Sequence, residues 1–144
     1  VTGQHFGKIK LKSGNIELEK GHILKGKLVM DMKSITVDDL TGEWEQKFIG
    51  HINSADFFNT GAYPTATLTI KKALKDKIIA DLTILDQTHE IEIFYEQKGN
   101  IYTGVMTFDR TKFGIKYKSG NFFKSLGDKM IYDDVTLEFK IIAK

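Results

Sequence analysis

Four histidines, two adjacent carboxylate pairs and one arginine are the residues of this 144-residue chain best suited to chemistry. The histidines are His5, His22, His51 and His89. None has another at i+2, i+3 or i+4, so the local spacing of a zinc site is missing. His51 falls at the end of a helical stripe, where an imidazole is expected to bond backbone or solvent. Asp133 and Asp134 are neighbours in an extended run and point to opposite faces, so they cannot share a proton as a catalytic dyad does. Asp38 and Asp39 precede the helical stripe and suit capping and dipole pairing at its start. No serine stands in a Gly-x-Ser-x-Gly setting, and no glycine-rich phosphate loop is present. Cysteine is absent, which removes disulfides, thiolate catalysis and cysteine metal sites. The expectation is a protein that is not an enzyme, with no catalytic residues, no metal and no cofactor.

The arginine is a sharper signal. Of 21 basic residues, 20 are lysine, and Arg110 stands alone in Asp109-Arg110-Thr111. Lysine serves solubility equally well; only guanidinium offers a planar fork of donors. Two roles fit it. It can pin a barrel rim to a carboxylate such as Asp56 or Asp134, or it can meet an anionic head group. The rim is favoured, because strand-end ion pairs are commoner than ligand clamps.

The elements that must position these residues are mostly strands. Ile, Thr and Val supply 35 of 144 residues and Ala only 6, a bias toward β structure. Period-2 alternation marks Ile9–Leu11, Ile16–Leu18, Leu24–Met32, Leu68–Ile70, Ile78–Ile84, Ile91–Tyr95, residues 101–109 and Val135–Ala143. Ser13-Gly14-Asn15, Lys20-Gly21 and Lys98-Gly99-Asn100 read as turns. One interruption stands out. Trp44, Phe48 and Ile52 recur every four residues, which predicts a helix from about Gly42 to Asn53. The loop Asp56–Gly61 follows, and the only proline, Pro64, opens the next strand. Eight or nine strands joined by short turns predict an antiparallel meander, and closure into a barrel would remove its edges.

Composition sets the outer bounds. The size is that of one domain, and roughly two-thirds of the unfolded surface can be buried, so 1–144 is taken as a single domain. A formal charge of +2 is too balanced to call for a nucleic-acid partner. Apolar runs are far short of a membrane span, so no stable membrane insertion is expected. No basic flank with an apolar stretch opens the chain, so the protein is expected to be cytoplasmic or to have lost a signal before this numbering begins.

Several stretches resemble the YceI-like family. His51-Ile52-Asn53-Ser54-Ala55-Asp56-Phe57-Phe58 followed by Tyr63-Pro64-Thr65-Ala66-Thr67 is similar to its "HLxSxDFF…YPxAxF" stretch. Asp109-Arg110-Thr111-Lys112-Phe113-Gly114-Ile115-Lys116-Tyr117 is similar to "DRxxFGxxY". Leu82-Thr83-Ile84, Asp128 and Asp134-Val135-Thr136-Leu137 extend the likeness in order along the chain. Two departures stand beside it. Leu68 replaces the family's Phe, and Leu85-Asp86 replace the His-Gly that often follows the "LT" strand. The resemblance implies a lipocalin-like antiparallel barrel with a helical insertion. It also implies binding of polyisoprenoids and related lipids, usually in the periplasm after signal removal.

The reading is therefore an all-β, antiparallel, lipocalin-like barrel of about eight strands that binds a long apolar ligand: a polyisoprenoid, an isoprenoid quinone or a fatty-acid-like lipid. The expected wall is Leu28, Met30, Leu68, Ile70, Leu82, Ile84, Ile91, Ile93, Met106 and Phe108. Trp44, Phe48 and Ile52, with Phe57 and Phe58, are expected to cover one end. A barrel with a filled core acting as a structural or protein-interaction module is the alternative, and a lipid hydrolase a weaker one. The setting is expected to be periplasmic or secreted, with the cytoplasm and a homodimer left open.

Overall fold

The computed structural model describes residues 5–119 and 133–143. Seven strands run in chain order across one antiparallel sheet: β1 (Gly7–Glu19), β2 (His22–Val37), β3 (Thr65–Ala73), β4 (Lys77–Ile84), β5 (Gln87–Lys98), β6 (Ile101–Asp109) and β7 (Asp134–Ile142). The helix α1 (Gly42–Asn53) lies between β2 and β3, and a 3-10 turn (Arg110–Phe113) follows β6. The sheet curls into a half-barrel with a buried cluster on its concave side. The all-β reading with one helical insertion therefore holds.

Among the described residues two of the expected runs merge into the one strand β1. Ser13-Gly14-Asn15 makes no turn; the three residues pair with Val29, Leu28 and Lys27 inside one long strand. A β-carbon on Gly14 would lie 2.8 Å from the Leu28 side chain, so glycine here admits a neighbour's packing. Lys20-Gly21 is the true hairpin turn. Both residues have positive φ, 52° and 80°, the backbone that a two-residue hairpin favours.

Faces follow the pairing register. Leu24 is expected beside Leu28 and Met30, yet it is 45% exposed while Ile23 is 7% exposed. The register shifts between Glu17 and Leu18, which skips Leu24 and gives its inward place to Ile23. β1 departs as well: Leu11 and Leu18 are exposed while Ile9 and Ile16 are half-buried, with register shifts at Leu11 and Leu18. On β3 to β6 alternation and structure agree. Leu68 and Ile70 of β3, Ile78 to Ile84 on β4, Ile93 and Tyr95 on β5, and Tyr102, Met106 and Phe108 on β6 all face the core.

The curl is secured far along the chain. The Gly21 carbonyl accepts hydrogen bonds from Gln97 Nε2 at 2.7 Å and the Tyr102 hydroxyl at 3.1 Å. The first hairpin is thus tied to the β5–β6 end of the sheet. Among the described residues no register joins β1 to β7, so the ladder stays open on that side.

Candidate functional site

The concave face is the candidate site, and it is graded. Its centre is dry: Leu68, Ile70, Leu82, Ile84, Ile93, Met106 and Phe108 are buried in one cluster with Phe57. Around it, and mostly toward the two open edges, other inward side chains are only half covered. These are Leu28 and Met30 of β2, Ile91 of β5, and Val135, Leu137, Phe139 and Ile141 of β7. All of them pack against the central cluster while keeping some access to water. Gly104 helps to shape this face. It pairs with Phe139, and a β-carbon there would sit 2.6 Å from the Phe139 ring, so its absence admits that ring.

The expected cover divides into two parts. Phe57 is buried in the cluster, and Ile52 and Phe58 pack on it. Trp44 does not join them; it is 68% exposed, with the Lys47 ammonium 5.3 Å from its ring centre. Phe48 stacks on His5 at 5.3 Å and is not among the residues packed on the core. The cause is helical geometry. Residues four apart are rotated about 40° from each other, so over eight residues a stripe drifts by about 80°. Only the Ile52 end of the stripe meets the barrel, and no residue of α1 is buried.

The loop after α1 is built by its own hydrogen bonds. The Ser54 hydroxyl donates to the His51 carbonyl at 2.6 Å, and Thr60 Oγ1 donates to Asn53 Oδ1 at 2.6 Å. This closure turns Phe57 inward. His51 then lies edge-on between Phe57 and Tyr117, at 5.0 and 4.6 Å between ring centres. Its Nε2 is 3.3 Å from Asp56 Oδ2, so a side-chain carboxylate faces the ring rather than the expected backbone or solvent.

Arg110 is held by a similarly compact piece of chain. Asp109 accepts from the Thr111 amide at 2.9 Å and from its hydroxyl at 2.6 Å, which starts the 3-10 turn. Gly114, at φ 88°, ends it in the left-handed region. The turn drives Arg110 inward to 1% exposure. Nη1 donates to the Ile115 carbonyl at 2.9 Å and Nη2 to the Tyr117 carbonyl at 2.8 Å. The guanidinium also lies over the Phe57 ring at 5.3 Å. Among the described residues its carboxylate neighbour is Asp133, at 4.0 Å, rather than Asp56 or Asp134. Asp56 is taken by His51, and Asp134 is exposed, opposite Asp109 in the ladder. Asp133 in turn accepts from the Ser119 hydroxyl at 2.5 Å. Burial pulls the guanidinium's pKa below its ordinary value, and the charges of Asp133 and Asp109 oppose that pull.

A second polar cluster joins the start of β1 to the α1 side. His5 Nδ1 lies 3.0 Å from Asp39 Oδ2, and the Phe6 amide donates to Asp39 Oδ1 at 3.3 Å. Asp38 faces Lys8 at 3.6 Å. Neither aspartate caps α1, whose first residue follows Thr41 with no side-chain cap. Asp39 is drawn off by His5 and Phe6, just before β1, and Asp38 by Lys8 on it. Burial would raise the Asp39 pKa, but the His5 and Phe6 hydrogen bonds win and hold it below the usual value of 3.8.

Sequence reasoning missed Phe113 and Ile115, which are 2% and 1% exposed. They lie outside any long alternating run, and their signals were proximity to the lone arginine and their place in the stretch similar to "DRxxFGxxY". Asp133 and Ser119 were missed as its supports, because a 3-10 turn brings together residues that no periodicity links. Asp128, which carried part of the likeness, lies outside the described residues. Among the described residues no three His, Asp or Glu side chains are gathered for a metal, and no helix is long and apolar enough to cross a membrane.

Comparison with known proteins agrees with this geometry. The YceI-like domain model matches residues 1–143. The UPF0312 protein SAB2563 of Staphylococcus aureus (strain bovine RF122 / ET3-1) is 30% identical over 99 residues, which cover 61% of this chain and 56% of that protein. The match thus spans little more than half of that relative's length. The crystal structure of the Campylobacter jejuni YCEI protein superposes with a TM-score of 0.70 at 19% identity, over 94% of this chain and 83% of that one. That of Burkholderia cenocepacia BcnA gives 0.68 at 20% identity, over 94% and 84%. At such identities these structures speak for the fold alone.

Proposed function

The chain belongs to the YceI-like domain family, and from that premise we propose that it carries or stores a long apolar molecule along its concave face, without chemistry. The molecule is a polyisoprenoid, an isoprenoid quinone or a fatty-acid-like lipid. The observation that carries this reading is the graded burial. A core filled by its own side chains would leave its inward residues dry. Here Leu28, Met30, Ile91, Val135, Leu137, Phe139 and Ile141 line the concave face half-exposed. A chain-like ligand laid on that band would remove their apolar surface from water. Covering about 300 Å² supplies about 7 kcal/mol before the cost of ordering the ligand. In this reading Arg110 is a clasp that fixes Ile115 and Tyr117 over Phe57. We also propose a periplasmic or secreted setting, which rests on the family resemblance; osmotic-shock fractionation of the source cells tests it.

Native mass spectrometry of freshly purified protein, followed by displacement of dansyl-undecanoic acid with solanesol, tests the binding reading. A released lipid mass and displacement by solanesol are expected, with both weakened in Met30→Glu. A protein that emerges bare and ignores both probes would overturn it.

A further inference from the structure

The two outer strands of the open ladder are built differently. β1 carries Lys8, Lys10 and Lys12, and its register with β2 breaks three times. Lysines and bulges are the usual means of stopping an edge from pairing with another chain. β7 has no such guard. It matches β6 over nine consecutive pairs, from Ile101–Ile142 to Asp109–Asp134, with no shift. It carries no proline and only one lysine within its span, Lys140. Its inward side chains Val135, Leu137, Phe139 and Ile141 are half-exposed, and Ile142 is 56% exposed. Among the described residues no backbone hydrogen bond crosses its far edge.

The charges on this strand indicate what fits. Glu138 and Lys140 lie on the outer face, flanking inward Phe139. We propose that β7 pairs with β7 of a second copy of this chain, antiparallel, with Phe139 on the two-fold axis. In a two-fold antiparallel pair, residues facing each other share a face. With Phe139 opposite itself, Glu138 faces the partner's Lys140, and Lys140 faces the partner's Glu138. Leu137 faces the partner's Ile141 on the concave side, which covers apolar surface that each copy leaves half wet. An axis at Glu138 or Lys140 sets like charges face to face, and one at Thr136 sets Asp134 against Glu138; cross-strand like charges are destabilising. An axis at Leu137 instead sets Asp134 against Lys140, and axes at Val135 or Ile141 overlap only the ends of the strand, so the two central registers without like-charge pairs differ in the partner of Lys140. The Phe139 axis brings both ion pairs next to the centre of the interface. The two sheets then join into one of fourteen strands, two-fold symmetric and closed at the pair.

Sedimentation velocity over a range of protein concentrations tests this with four proteins: wild type, Glu138→Lys, Lys140→Glu and the double exchange. Both positions are on the outer surface, so thermal melts taken at dilutions where all four proteins are monomeric are expected to coincide and to report an intact fold. Wild type is expected to dimerise. Each single change sets like charges opposite each other and is expected to raise the dimer dissociation constant about tenfold or more. The double exchange restores opposite charges only in the Phe139 register and is expected to return to within about threefold of wild type. A wild type that stays monomeric overturns the proposal, including one in which a different protein occupies the edge. So does a dimer indifferent to the single changes, and so does a double exchange that fails to recover.

Discussion

Arg110 shows how much of a fold can hang on one side chain. Its guanidinium joins two backbone carbonyls that belong to no strand, those of Ile115 and Tyr117. Lysine brings one ammonium on a flexible stem and cannot span both acceptors while lying flat on Phe57. Arg110→Lys is therefore expected to lower the stability to denaturant by about 1–3 kcal/mol, the scale of charge-assisted bonds lost in a buried place. Affinities for neutral and phosphorylated lipids are expected to change together in that variant. Urea melts paired with both titrations check this, and a stable variant that loses only the phosphorylated ligand would move Arg110 from clasp to head-group contact. Asp39 provides a second expectation at this scale. Its folded pKa lies below the unfolded 3.8, so its contribution to stability is complete well above that pH and fades as pH falls through the folded value. Asp39→Asn removes the contribution. The stability gap between the two proteins is expected to be constant near neutrality and to narrow below about pH 4; urea midpoints measured from pH 2 to 7 check the sign.

At the scale of elements, α1 separates what a period reveals from what it hides. The four-residue spacing located the helix from Gly42 to Asn53, and the structure has those bounds. It could not say which part of the stripe touches the sheet, because a straight helix meets a curved surface over a short length. Trp44 lies at the free end. Its emission is accordingly expected to resemble that of water-exposed indole, to be quenched freely by iodide and to stay unchanged at saturating solanesol. A blue shift on binding would bring the start of α1 over the ligand. β1 and β2 teach the same limit for strands. Alternation identified the residues, but bulges in the pairing decided that Ile23 and not Leu24 enters the core. Register is a property of two strands at once, and no single stretch of sequence contains it. On β3 to β6 alternation alone named the buried face correctly, and there the pairing registers run unbroken except for one shift between Ile70 and Lys72.

For the molecule as a whole, the graded concave face links packing to binding. Phe108 is buried at its dry centre, edge-on to Phe113 at 5.7 Å between ring centres. Phe108→Trp adds volume there, at a cost of about 1–3 kcal/mol in overpacking, so the fold is expected to survive. The larger ring pushes toward the half-exposed band, and displacement of dansyl-undecanoic acid is expected to need several-fold more solanesol. Unchanged displacement with an intact fold would take Phe108 out of the ligand's reach. Much of this face was legible in advance, because Leu68, Ile70, Leu82, Ile84 and Ile93 announce themselves by alternation. What was not legible was the contribution of β7 to the wall at Phe139, which depends on the vacancy opposite, at Gly104.

The hydrogen bonds to the Gly21 carbonyl have a consequence for the order of assembly. Every strand pairs with its neighbour in the chain, and β1–β2, β3–β4, β4–β5 and β5–β6 do so across short turns, so most of the ladder can zip from one hairpin to the next. The tie from Gly21 to Gln97 closes a loop of 76 residues instead. Loop-closure entropy makes that step about 2–3 kcal/mol costlier than closing a four-residue turn. Contacts that repay late are made late. The curl is therefore the last part of the sheet to be secured and the first to be released, and the first hairpin can swing on its turn while the β3–β6 ladder stays whole.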